Sequence, residues 1–165
     1  MSITIFEFNS PAEIVARLTV AALAGAIIGV NRDLHRKPAG LRVLALVAMG
    51  AAAVTVAGTI AAEPSDPHAS VFRTVQGVLS GIGFLGAGII MRGSSANDVH
   101  GLTTATALWV ACIVGIIYGM GQWTLGSLCF VLTMAILVIG RPLEKFVNDR
   151  VARKKSESVS NHDAE

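Results

Sequence analysis

The residues of this 165-residue chain that could carry chemistry fall into two sets. One is Arg32, Asp33, Arg42, Arg92, Asp98 and His100, with Thr103 and Thr104 just behind; the other is Arg73 and Gln76. Guanidinium groups beside hydroxyls suit an anionic ligand or an acidic partner surface, with Asp33 and Asp98 fixing the arginines. Ordinary loop salt bridges explain the first set equally well without a ligand. Nothing else assembles an enzyme: there is no G-x-x-x-x-G-K-[ST] phosphate loop, no G-x-S-x-G elbow and no H-E-x-x-H helix. Gly81-Ile82-Gly83-Phe84-Leu85-Gly86 matches the dinucleotide fingerprint in letters only, because it lies inside an apolar run and not between a strand and a helix. Cys112 and Cys129 have no His or second Cys at ligand spacing, and His68 and His100 read as lone surface histidines. The expectation is no catalytic residue, no metal, no cofactor and no nucleic-acid partner.

Carboxylates sharpen this. No Asp or Glu occurs between Asp33 and Glu63, between Asp66 and Asp98, or between Asp98 and Glu144. Proton relays and cation carriers usually place carboxylates at mid-membrane. A magnesium path here would have to use backbone carbonyls, Thr and Gln, or a hydrated ion.

The elements that position these residues follow from where charge is missing. Hydrophobic residues are 53% of the chain and charged ones 15%, too apolar for a small water-soluble globule to bury. Residues 43–62 and 74–91 are free of Asp, Glu, Lys and Arg, and so are residues 101–140. The last run would be about 60 Å long as one helix, so it must fold back, at the Gly-rich, aromatic turn 118–123. A first span is long enough if it starts at Pro11 and carries Glu13 and Arg17 in its outer turns, where at i and i+4 they can pair or snorkel. The expected fold is all-α and polytopic, with spans near 11–31, 42–62, 73–91, 102–119 and 123–140 forming one domain over 1–140. The third is Gly-rich.

Five spans put the loops 31–40 and 92–100 and the C-terminal tail on one side. Of 13 Lys and Arg, only Arg17 and Arg73 fall elsewhere, both at span ends. That is a positive-inside pattern for N-out, C-in, and four spans would place the loop charges on the wrong sides. The N-terminus has no Lys or Arg before the first apolar stretch and does not read as a cleaved signal peptide. Residues 141–155 read as a basic amphipathic tail on the cytoplasmic leaflet, and 156–165 as disordered. Gly25/Gly29, Gly77/Gly81 and Gly115/Gly119 are small-xxx-small pairs. With Gly83, Gly86 and Gly88 they predict close helix packing and a homodimer.

Three segments together resemble the MgtC/SapB family of bacterial inner-membrane proteins. They are Gly29-Val30-Asn31-Arg32-Asp33 running into Lys37-Pro38-Ala39-Gly40-Leu41-Arg42 and 45–50; Arg73 and Gln76 followed by 80–88; and Gly101-Leu102-Thr103-Thr104-Ala105 with Leu108-Trp109. The resemblance covers roughly residues 10–140. It implies a five-span protein linked to magnesium homeostasis, to survival at low magnesium and to growth inside host cells. Its best-known member is thought to restrain the rotary ATP synthase, which makes a membrane-protein partner the expectation besides the lipid bilayer. The family usually has Glu where this chain has Asn31. Longer members carry a soluble C-terminal domain, so this chain reads as a short form. The rival expectation is a small-solute or ion permease with a path lined by Gly-rich helices.

Overall fold

The computed structural model describes residues 10–92 and 99–162. Five helices follow one another: α1 (Pro11–Asp33), α2 (Leu41–Ile60), α3 (Pro67–Ile89), α4 (Leu102–Gly119) and α5 (Trp123–His162). Between α3 and α4, β1 (Met91–Arg92) and β2 (Val99–His100) pair antiparallel, with Met91 opposite His100 and Arg92 opposite Val99. α1, α2 and α4, and residues Trp123–Gly140 of α5, are each long and apolar enough to cross a membrane. α3 has the length but is not among these four; Ser70, Arg73, Gln76, Ser80 and its glycines dilute its apolar content.

Local sequence sets the helix ends. Ser10 caps α1, its hydroxyl accepting from the Glu13 amide at 3.2 Å, with Pro11 pre-set in the first turn. Asp66 does the same for α3, accepting from the Ala69 amide at 3.1 Å ahead of Pro67. Gly101 (φ 88°) opens α4 and Gly121 (φ 73°) turns the chain into α5, two left-handed positions that a Cβ would strain. α5 runs on through Pro142 to His162, across the segments read from sequence as a separate tail and a disordered end. Its residues after Pro142 are rich in helix-forming Glu, Lys, Arg and Ala and contain no glycine.

The chain divides into one compact unit ending at Phe130 and a second beginning at Val131. In the first unit, Ala21, Ala24, Ala52, Val114 and Tyr118 form one buried cluster, flanked by Leu18, Val110, Cys129 and Phe130. Ala51, Ile82, Cys112 and Ile116 form another, which takes in Val75, Val78 and Leu79 from one face of α3. These cores use alanine and glycine more than large side chains, so the backbones approach closely. A Cβ on Gly25 would meet the Leu44 carbonyl, one on Gly29 the backbone of Leu41, and one on Gly115 the Ala48 carbonyl; at Gly119 it would stand 2.7 Å from the Ala52 carbonyl. Dispersion between well-packed backbones holds such helices where lipid supplies no hydrophobic drive. The buried Thr55 hydroxyl is satisfied within α2 by the Ala51 carbonyl at 2.7 Å. In the second unit the apolar side chains Val131, Leu132, Ile136, Val138 and Ile139 are all exposed, as a lipid-facing segment requires.

Candidate functional site

Arg32, in the last turn of α1, is only 2% exposed. A buried guanidinium is tolerable only when its N–H groups are bonded. Its Nη2 donates to Thr104 Oγ1 at 2.6 Å and to the Pro38 carbonyl at 3.1 Å. Nη1 donates to the Thr103 carbonyl at 3.1 Å and Nε to the Ala39 carbonyl at 3.3 Å. One side chain thus ties the end of α1, the following loop and the start of α4. Thr104 is buried with it, whereas the Thr103 side chain is exposed and contributes its carbonyl.

Asp33 points to the other helix. Its Oδ2 accepts from the Leu41 amide at 2.8 Å, capping α2. The carboxylate lies where a Cβ on residue 40 would stand, which is why glycine is found there. The sequence reading had Asp33 holding an arginine; the structure has it holding a helix start. Asp33 makes no ion pair among the described residues. Arg42 is exposed in the first turn of α2. Arg92 is placed by its backbone in β1, and Asp98 lies outside the described residues. Asn31 Oδ1 is buried with no hydrogen-bond partner among the described residues.

At the opposite end of the helices, Arg17 is 1% exposed. Nε donates to Glu13 Oε1 and Nη1 to the Gly119 carbonyl at the end of α4, each at 3.2 Å. The spacing allowed Arg17 either to pair with Glu13 or to snorkel, and the pair forms. The unsatisfied carbonyls of an α4 C-terminus 102 residues away draw Arg17 inward.

Arg73 and Gln76 stand exposed on the face of α3 turned away from Val75, Val78 and Ile82. Arg73 Nη2 reaches Ser70 Oγ at 3.5 Å. Gly77, Gly81, Gly83 and Gly88 have open space where a Cβ would be, while Gly86 is buried 3.6 Å from the Ala105 Cβ. The glycines singled out in the sequence therefore divide in two: Gly25, Gly29, Gly115, Gly119 and Gly86 lie against neighbouring helices, and the other four do not. α3 is unbroken through Gly81–Gly86, without the strand and turn that a dinucleotide site needs. Cys112 is buried among apolar side chains, and no disulfide joins it to Cys129.

A family model, the MgtC family, matches residues 18–146, which contain all of the sites above except Glu13 and Arg17. Protein SrpB of Synechococcus elongatus is 42% identical over 130 residues, 73% of this chain and 71% of that protein. Protein MgtC of Salmonella typhimurium is 42% identical over 109 residues, 66% of this chain and 44% of its own length. Protein MgtC of Brucella abortus is 36% identical over 143 residues, 87% of this chain and 58% of its own length. This chain thus spans about half of those two MgtC proteins. No solved structure matches it. The helical membrane character, the matched stretch and these relatives agree: this chain belongs to the MgtC family.

Proposed function

We propose that this chain is a bacterial inner-membrane protein of five spans, N-out and C-in. It acts by binding and regulating a membrane partner and not by catalysis. By its family it serves magnesium homeostasis and survival at low magnesium or inside host cells, with the rotary ATP synthase as the partner the resemblance suggests. One observation carries the binding role. The outward face of α3 presents Arg73, Gln76 and Ser80 among unfilled glycines, with Phe84 82% exposed. Polar groups on a membrane helix face protein or water in preference to acyl chains. Exposed glycines admit another helix at backbone distance.

The permease reading is less well supported. Glycine–backbone contacts run along the α1–α2 and α2–α4 seams, and the buried arginines bond within the chain. The test is flux through purified protein in proteoliposomes, with dyes for magnesium and for pH. The binding role predicts none with inserted, folded protein. Saturable flux lost in Arg73→Ala or Gln76→Ala would make the protein a transporter.

A further inference from the structure

The loop joining α1 to α2 has features that membrane orientation alone does not require. Arg36 (φ 50°) and Ala39 (φ 57°) both take the left-handed conformation that a Cβ disfavours. The inside of the loop is pinned to hold them there. Arg32 donates to the Pro38 and Ala39 carbonyls, the Lys37 amide returns to the Arg32 carbonyl at 3.1 Å, and Asp33 grips the Leu41 amide. With the carbonyls turned inward, Arg36, Lys37 and Arg42 are all exposed, and none of the three side chains makes a hydrogen bond or ion pair among the described residues. Leu34 stands beside them 76% exposed. Both flanking helices are long and apolar enough to cross a membrane, which sets this loop at headgroup level.

We propose that Arg36, Lys37 and Arg42 form a site for the phosphate of an anionic phospholipid headgroup, with Leu34 entering the acyl boundary. A phosphodiester needs cationic N–H donors held on a fixed frame, and arginine forks meet its oxygens in pairs. The pinned loop supplies the frame, so less ordering is needed when lipid binds. Asp33 does not oppose this, because its carboxylate is already matched by the Leu41 amide and the α2 dipole. An apolar side chain next to the cations selects a lipid over a soluble phosphate. The inference rests on α1 and α2 crossing a membrane and not on a partner at α3, so the two fail separately.

The test uses the full chain, reconstituted with phosphatidylcholine and phosphatidylglycerol in competition. Lipid retained after detergent extraction is counted by native mass spectrometry. The protein is expected to retain phosphatidylglycerol preferentially. Arg36→Gln, Lys37→Gln and Arg42→Gln should each lower that preference about fivefold. A tail variant that removes three charges where each loop variant removes one, Arg150→Gln/Arg153→Gln/Lys154→Gln, should leave it within about twofold. An equal loss in the tail variant would reduce the effect to diffuse charge and overturn the site. Displacement of the lipid by inorganic phosphate, or by an acidic peptide, would overturn it in favour of a free-anion or protein site. Absence of any preference in the unaltered protein would overturn it outright.

Discussion

Arg32 and Arg42 differ in kind although both are arginines at the same end of the helices. Arg32→Ala removes four hydrogen bonds and leaves Thr104 Oγ1 buried without its donor. The expected cost is roughly 3 kcal/mol, read as a lower unfolding midpoint in detergent. Arg32→Lys should recover little, since a point charge cannot meet acceptors spread over a fork. Arg42→Ala touches no internal bond and should shift stability by under about 0.5 kcal/mol while impairing function in cells. Equal loss of both proteins from the membrane would refute that separation. Gly40→Ala should cost about 1 kcal/mol, because the Asp33 carboxylate must leave the Leu41 amide. The sequence grouped Arg32 with Thr103 and Thr104 at one end of the helices but did not show the bonds between them. Arg32 finds Thr103 and Thr104 across 71 and 72 residues, and three of its four acceptors are backbone carbonyls, which no residue pattern reports.

Among the helices, glycine spacing alone does not say which surface a glycine serves. Gly25/Gly29 and Gly115/Gly119 line the seams of α1 and α4 with α2; Gly77/Gly81 has the same spacing and meets nothing within the described chain. Gly25→Leu or Gly115→Leu must push α2 off its neighbour and should cost roughly 3 kcal/mol or more. Gly81→Leu and Gly83→Leu should leave the midpoint within about 0.5 kcal/mol. Gly83 thus differs from the sequence expectation that filling it would disturb packing in the chain. Helix positions were legible because charge-free runs, Pro11 and the Gly-rich turn mark them locally; the start of α3 was not, since Asp66-Pro67 sets it at Pro67 and the charge pattern placed it near 73. The faces were not legible either, because an apolar helix in lipid has no polar side to mark its inside.

In the whole molecule, a closed α1–α2–α4 packing carries an α3 whose outward face is polar, glycine-rich and open. Orientation is the first consequence. Cysteines placed at Lys37 and His100 should react with an impermeant thiol reagent from the cytoplasm, and one at Glu63 from outside. Labelling of Glu63→Cys and His100→Cys from the same side would remove α3 from the spans. The central claim is that α3 meets a membrane partner, and site-specific photo-crosslinking in native membranes tests it most directly. A crosslinker at Phe84 is compared with one at Val54, which is 49% exposed on α2. The account predicts an adduct with another membrane protein at position 84, none at 54, and loss of that adduct when Gly81→Leu is added. No adduct at 84, equal adducts at both positions, or an adduct that Gly81→Leu leaves intact would contradict it.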